Sequence, residues 1–434
     1  MLPMAPAVRP ASSLRELAEH VPTARLLAAA SRALGLPVYL VGGGVRDWLL
    51  GRTPLDWDVI VPGDPAPLLT WLRGKVGVRG AVVLDAALSI HRLHLAGGEV
   101  VDVARMAQDQ LEPDLTRRDL TVNAMAVSVT TGDLADPLAG YADLEAGVIR
   151  VPTRDNLASD PVRLLRVFRF ASALQFEVAP ATLGWVGALA PMLAQAAGER
   201  LLQEWQKLLV GPARHRALAQ MGQLGVLGPA LATAAGDLPV GRARLAALDA
   251  WLDAAPGPAW KRLVGWLDEP VAGDRSRRTA LSLATLCLDP LAAGPEALGE
   301  RLRWSRREQR LAAAWSTSAA PLEGMLASGR PPRDWHRLSR AAGEALPALP
   351  ALVASHAPDL RGAATAALEA CWDRLDHPLP RHLDGRDLMA ALDLPPGPHL
   401  AALLAALEEE TALGTVTDRD SALRWAQTAW RSGV

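Results

Sequence analysis

Asp56 and Asp58 stand two residues apart in an apolar run, Leu55-Asp-Trp-Asp-Val-Ile-Val61. On a strand, residues two apart project to the same side, so the run presents two carboxylates together. Upstream, Gly42, Gly43 and Gly44 follow the apolar stretch Val38–Val41 and precede Val45-Arg-Asp-Trp-Leu-Leu50. Glycines allow a tight turn and a close approach of backbone to ligand. The helix expected from Val45 to Leu50 turns its unpaired N-terminal amides toward that turn, an arrangement that favours phosphate. Two carboxylates beside a phosphate-binding turn suit Mg²⁺, which takes oxygen ligands and substrate phosphates. Alone, Asp-x-Asp is most often a solvated loop, and Gly-Gly-x-x-Arg-Asp an ordinary strand-to-helix turn. Their order and spacing together favour metal–nucleotide chemistry.

The elements that must position these residues are legible from hydrophobic periodicity. Val38–Val41 and Trp57–Val61 read as strands, Ala66–Gly74 as a crossing helix, and Ala81–Leu84, Ser89–Leu95 and Glu99–Ala104 as further strands, with Ala96-Gly-Gly98 as a hairpin turn. A helical segment, Ser13–Leu34, precedes them. After about residue 155 strand signals stop, and Pro161–Leu174, Glu199–Leu209, Ala243–Ala254, Arg277–Cys287 and Leu400–Glu409 carry helical spacing. The expected fold is a small mixed α/β head followed by an all-α, elongated body and tail. The expected divisions are an N-terminal helical segment (1–35), a catalytic head (36–150), a helical neck (151–212), a helical body (213–375) and a helical tail (376–434).

Composition sets limits. The 434 residues are half hydrophobic, which suits a globular chain of several domains rather than a disordered one. No apolar run reaches the length of a membrane span, and Pro3, Pro6 and Pro10 break any apolar N-terminal helix. Cys287 and Cys371 lie far apart in apolar surroundings, as buried thiols of a reducing cytosol would. A net charge of −2 gives no global nucleic-acid signal, so an RNA partner would need local patches. Lys75, Lys207 and Lys261 are the only lysines. The arginine excess follows mostly from compositional bias toward Ala, Leu, Gly, Pro and Arg. His91 and His94 lack further ligands at zinc spacing and more simply line a strand.

The Gly-Gly turn with Asp-x-Asp resembles the DNA polymerase β-like nucleotidyltransferases, and more narrowly the class II tRNA nucleotidyltransferases and bacterial poly(A) polymerases. Arg117-Arg-Asp-Leu-Thr-Val-Asn-Ala-Met125 resembles that family's second motif, and Asp136-Pro-Leu-Ala-Gly140 with Asp143-Leu144 its third. Asp160-Pro-Val-Arg163-Leu-Leu-Arg166-Val-Phe-Arg169-Phe170 resembles the fourth, and Glu199-Arg200-x-x-x-Glu204-x-x-Lys207 the fifth. Leu383-Asp-Gly-Arg-Asp-Leu-Met389 with Leu394-Pro-Pro-Gly-Pro398 resembles the tail segment of many members. The likeness is dense over residues 38–210 and returns at 381–424. No His-Asp dipeptide occurs, so nothing supports the metal phosphohydrolase domain that some relatives carry.

The resemblance implies transfer of nucleotides from CTP, with ATP as the second candidate donor, to the 3′ end of tRNA with Mg²⁺. It implies Asp56 and Asp58 as metal ligands and a third carboxylate on a neighbouring strand, Asp102, with Glu99 as runner-up. Gly42, Gly43 and Arg46 would hold the triphosphate, while Asp47 can be a turn residue only. Arg117, Arg118, Asp119 and Asn123 would organise nucleotide and ribose; Asp119 and Asn123 share a face if helical, and Asp119 could instead cap that helix. Asp160 and Arg163, followed by Arg166, would read the incoming base, since a carboxylate accepts from an exocyclic amine and a guanidinium donates to the ring. A helix-starting Asp with an Arg one turn later is the plain alternative. Two departures stand out. Ser159 replaces the family's usual Glu, and Met106–Thr116 is shorter than the flexible loop of full CCA-adding enzymes, as in enzymes that add only the two cytidines. Complete CCA addition, poly(A) synthesis and a non-catalytic RNA-binding role are the other readings. Arg275, Arg277 and Arg278, with Arg301, Arg303, Arg306, Arg307 and Arg310, suit phosphate or a solvated helix face. Trp304 beside them is better placed for packing than for stacking.

Overall fold

A β-sheet forms where the alternating apolar pattern predicts one. The computed structural model describes residues 8–54, 56–75, 78–85, 90–254, 257–290, 292–329 and 331–432. Pro3, Pro6, Leu55 and Ser89, used in the sequence reading, lie outside them. The chain divides into two compact units, residues 1–230 and 231–434.

In the first unit, the expected N-terminal helix is two: α1 (Ser13–His20) and α2 (Pro22–Leu34). The break falls at Val21, whose extended backbone precedes Pro22 at the first helical position, where a missing N–H costs nothing. Strands β1 (Tyr39–Val41), β2 (Asp56–Val61), β3 (Val78–Asp85), β4 (Ile90–Leu95) and β5 (Val100–Arg105), with β6 (Ala126–Ser128) and β7 (Leu134–Ala135), build one seven-stranded sheet in the order β3-β4-β5-β2-β1-β6-β7. Only β2 and β5 pair in parallel; the other neighbours are antiparallel. Helix α3 (Gly43–Leu49) starts two residues earlier than expected, directly on the turn after β1, and α4 (Ala66–Lys75) crosses from β2 to β3.

Alternation along β2 sorts its faces. Trp57, Val59 and Val61 are buried on one side, while Asp56 and Asp58 are exposed on the other. The carboxylate side becomes apolar farther along, where Ile60 joins Val41, Met106, Leu115, Ala124 and Ala126 in a buried cluster. Burying large side chains such as Trp57 contributes on the order of 3–5 kcal/mol each when judged by truncation to Ala.

The connection after β5 is folded rather than a loop. A short 3₁₀ turn, Ala107–Asp109, leads into α5 (Leu111–Thr116). Next come α6 (Gly140–Ala146), β8 (Val148–Ile149) and α7 (Arg154–Ala158). Helix α8 (Val162–Leu174) leads to β9 (Glu177–Val178) and α9 (Pro180–Leu189), and then to α10 (Gly198–Leu209), which packs on α8. The β8–β9 pair shows that strands do persist past residue 155. It is too short to leave a periodic signal.

The second unit is helical apart from the hairpin Pro270–Ala272/Arg275–Ser276. Its helices begin with local chemistry readable in sequence: Ser305 with Glu308, Asp384 with Asp387 and Asp418 with Ser421 form capping boxes. Helices Gly385–Leu392, Pro398–Ala412 and Arg419–Arg431 enclose their own core of Leu388, Leu403, Leu407 and Ala422. Along Pro332–Ala342, Arg333 pairs with Glu409 and Glu410, Arg337 with Glu409 and Arg340 with Glu408. Among the described residues, no helix is long and apolar enough to cross a membrane.

Candidate active site

The register of β2 decides which carboxylates meet. Asp58 lies opposite Val41 on one side and Asp102 of the parallel strand β5 on the other. Asp56, Asp58 and Asp102 therefore share one face of the sheet. Glu99 lies before β5, where its carboxylate accepts from the Thr23 hydroxyl. Gly42 adopts φ +73°, and a side chain there would come within 2.9 Å of Asp58 Oδ2 and 3.2 Å of Arg118 Nη1. At Gly44, a side chain would meet the Trp57 ring at 2.8 Å. Glycine is required at the first for conformation and closeness and at the second for packing.

These carboxylates are short of positive charge. Asp58 is reachable by water yet surrounded by protein atoms. Desolvation raises its carboxyl above the usual range, Arg118 opposes this, and Asp102 and Asp56 add repulsion. Asp102 is gripped by Arg92 of β4, Nε to Oδ1 at 2.8 Å and Nη2 to Oδ2 at 2.7 Å. Among the described residues no three His, Cys, Asp or Glu side chains converge as a ready-made metal cage. What exists is an adjacent pair, Asp56 and Asp58, with a third carboxylate beside it. That donor set fits a hard cation that completes its shell with water and phosphate.

The other expected residues form a buried network. Arg46 is 8% exposed. Its Nη1 donates to Asn123 Oδ1 at 2.5 Å, its Nε donates to Asp47 at 2.9 Å, and its guanidinium lies 5.0 Å from the centre of the Phe170 ring. Its guanidinium is thus committed to protein partners. Asn123 Nδ2 donates to Asp119 Oδ1 at 3.3 Å, and Arg166 Nε donates to Asp119 Oδ2 at 2.7 Å. Asp119 and Asn123 do meet, but through a 3₁₀ turn, Thr121–Asn123, rather than along an α-helix. Burial pushes Asp119 up, and Arg166 with Asn123 pulls it further down, below the ordinary carboxylate range. Arg166 reaches on to Glu204 at 3.4 Å. Arg169 Nε lies 3.0 Å from the other Glu204 oxygen without hydrogen-bond geometry, and burial lowers its pKa to about 10.

A cleft of about 390 Å³ opens beside this network, lined by Arg118, Asp119, Asp160, Arg163, Arg166, Arg200, Gln203, Glu204 and Lys207. The side chains of Asp160 and Arg163 both line it without bonding each other, although the Arg163 amide donates to the Asp160 carbonyl at 2.9 Å. Arg200 Nη2 donates to Asp160 Oδ2 at 2.6 Å and Nη1 to Oδ1 at 3.1 Å. Arg163 Nη1 donates to the carbonyls of Arg117, at 2.9 Å, and Asn156, at 3.0 Å. Asn156 in turn donates to the carbonyls of Thr116 and Arg118. Asp114, nearly fully buried, accepts from Ala107 N and from Arg117 and Arg118. A wider groove of about 810 Å³ beside α1 and α2 shares no residue with this chemistry.

A family model described as the Poly A polymerase head domain matches residues 38–150, and one described as a probable RNA and SrmB-binding site of polymerase A matches residues 175–232. The chain is 31% identical over 447 residues to a CC-adding tRNA nucleotidyltransferase of Synechocystis sp., covering 98% of this chain and 99% of the relative. The chain belongs to the tRNA nucleotidyltransferase and poly(A) polymerase family. An A-adding tRNA nucleotidyltransferase of Deinococcus radiodurans is 39% identical over 184 residues, 41% of each chain. The Thermotoga maritima CCA-adding enzyme complexed with tRNA shares the fold at TM-score 0.70 and 24% identity, over 98% of this chain and 99% of that one.

Within this nucleotidyltransferase, sequence reasoning gave no role to Arg92, Asp114, Asn156 or Arg200. A signal existed for Arg92. The hairpin turn Ala96–Gly98 sets β4 against β5 about Gly97, and counting outward pairs Arg92 with Asp102, as observed. Arg200 falls in the quoted Glu199-Arg200 motif, but its partner lies forty residues earlier, at Asp160. Of the body arginines, Arg275, Arg277, Arg278 and Arg307 pair with Glu308, Glu269, Asp268 and Glu344. Trp304 is buried, as packing requires.

Proposed function

We propose that this tRNA nucleotidyltransferase adds cytidines from CTP to the tRNA 3′ end and stops after two. The observation that carries the reading is the folded connection after β5. Residues 107–116 form a 3₁₀ turn and a helix pinned by Asp114, which also holds Arg117 and Arg118. The Arg117 carbonyl in turn accepts from Arg163. Admitting adenine in place of cytosine requires the base-reading residues to shift. A connection tied to them through Arg117 and anchored on the buried Asp114 carboxylate resists that shift, because releasing Asp114 would leave a buried charge unsatisfied.

Asp56 and Asp58, with Asp102 beside them, would hold Mg²⁺. When bound, that ion supplies charge stabilisation at the α-phosphate under attack by the RNA 3′-hydroxyl, with pyrophosphate as leaving group. Arg118, close to both Asp58 and Gly42, lies where the triphosphate would enter. Arg46 supports that turn from beneath. Asp160 would accept from the cytosine amine and Arg163 would donate to its ring acceptors. Uracil or guanine would set a carbonyl against the Asp160 carboxylate, a mismatch that buried polar sites reject strongly.

The test uses purified protein, tRNA ending before CCA, and CTP and ATP separately and together, with products read at nucleotide resolution. The expected product ends in two cytidines whether or not ATP is present. Efficient addition of one terminal adenosine to tRNA ending in CC would replace this reading with complete CCA addition.

A further inference from the structure

Asp160 has no regular element to hold its side chain. It precedes Pro161 and α8, and two turn bonds tie its backbone, Asp160 N to the Leu157 carbonyl at 3.3 Å and Arg163 N to the Asp160 carbonyl at 2.9 Å, but neither reaches its side chain. Its carboxylate is fixed from outside. Arg200, from α10, takes both oxygens in a fork, the geometry a guanidinium offers and an ammonium does not. The Val162 amide takes a second site on Oδ1 at 3.2 Å. A carboxylate has about four acceptor sites. Three are used here, and the one left is on Oδ2.

We propose that Arg200 is a specificity-determining positioning residue, which holds Asp160 so that a single acceptor faces the incoming base. The proposal rests on the reading of Asp160 and Arg163 as the base-reading pair. Arg163 is prepared in a complementary way. Its Nη1 hydrogens are spent on the Arg117 and Asn156 carbonyls, and among the described residues Nε and Nη2 have no hydrogen-bond acceptor. One acceptor on Asp160 and two donors on Arg163 match the amine, N3 and O2 of cytosine. Uracil presents a carbonyl where Asp160 requires a donor. Asp160 could admit uracil only by rotating away or by taking up a proton and becoming a donor itself. The fork opposes rotation. It also opposes protonation: burial favours the neutral acid, but the Arg200 bonds and charge outweigh it and keep the carboxyl below its ordinary range. The Arg200 side chain is 55% exposed, so it can be exchanged without opening the core.

The experiment measures kcat/KM for single incorporation of CTP and of UTP onto tRNA ending before CCA. It compares the wild type, Arg200→Met, Arg200→Lys, Asp160→Ala and the Arg200→Met/Asp160→Ala double variant, with tRNA affinity and melting temperature recorded for each. Arg200→Met is expected to lower the preference for CTP over UTP by about ten- to a hundredfold, the scale of one unsatisfied polar contact. Arg200→Lys, which keeps charge but not the fork, should recover part of it. In the Asp160→Ala background, Arg200→Met should change the preference no further. If Arg200→Met slows both triphosphates equally while Asp160→Ala relaxes the choice, Arg200 is a phosphate contact and the proposal is overturned. If neither Asp160→Ala nor Arg200→Met moves the ratio, the base-reading assignment falls and the proposal with it.

Discussion

The sheet face and the neck cleft use the same ingredients, carboxylates and arginines, in opposite balance. On the sheet, Asp56, Asp58 and Asp102 share one face. Arg92 is spent on Asp102, and Asp58 is left with a raised pKa. At the cleft, Asp119 and Asp160 are each paired with an arginine, Arg166 and Arg200, and stay below the ordinary carboxylate range. Unmatched negative charge suits a site that completes itself with a cation and phosphates. Matched charge suits a site that must keep its shape before the base arrives. The cleft is linked to the helix that starts on the glycine turn through Arg166, Asp119, Asn123 and Arg46.

The largest expected effect is on turnover. Asp56→Ala or Asp58→Ala should reduce nucleotide transfer to background in Mg²⁺ while tRNA affinity and fold persist. Near-normal turnover in both would remove the contrast at its root. Next in size is the stability of the neck. Asp119→Ala takes one of two carboxylate partners from half-buried Arg166, which keeps Glu204, and should cost about 1–3 kcal/mol in denaturant unfolding. The pH dependence carries a definite sign. Because the folded pKa of Asp119 lies below its unfolded value of about 3.9, its contribution is present above that value and lost as pH falls through the folded pKa. Asp119→Asn should therefore flatten the acid limb of the stability curve; an unchanged limb would count against the pairing.

Base choice comes third. Asp160→Ala or Arg163→Ala should raise UTP and GTP incorporation relative to CTP by about ten- to a hundredfold, with triphosphate affinity less affected. Asp58→Asn is expected to move stability the other way from Asp119→Ala. A raised carboxylate pKa means that ionising Asp58 opposes folding at neutral pH, a penalty that shrinks as pH falls below its folded pKa and is gone below the unfolded value. The variant should therefore melt a little above the wild type in EDTA, and a lower melting temperature would show that Asp58 is structurally satisfied as it stands. The smallest effect is expected at the connection. Asp114→Asn should permit slight adenosine addition to tRNA ending in CC, since it weakens the ties from Ala107 to Arg117 and Arg118.

Period-two alternation and the glycine turn made Asp56, Asp58 and the strand carrying Asp102 readable from the residues alone, because strand geometry is local. The helices of the neck and tail were readable for the same reason, through apolar spacing and caps. Local pattern also explains the misreadings. Pro22 splits the first helix, and the β8–β9 pair is too short to carry a period. The partners of the charges were decided only by tertiary structure. Arg200 meets Asp160 across forty residues and Arg46 meets Asn123 across seventy-seven, and neither spacing has a period to read. Gly44 is required because Trp57 of the next strand lies against it. The sequence by itself determined which residues could do chemistry. The packing of α8 against α10 and of β5 beside β2 decided which of them are held still and which carry charge still to be matched.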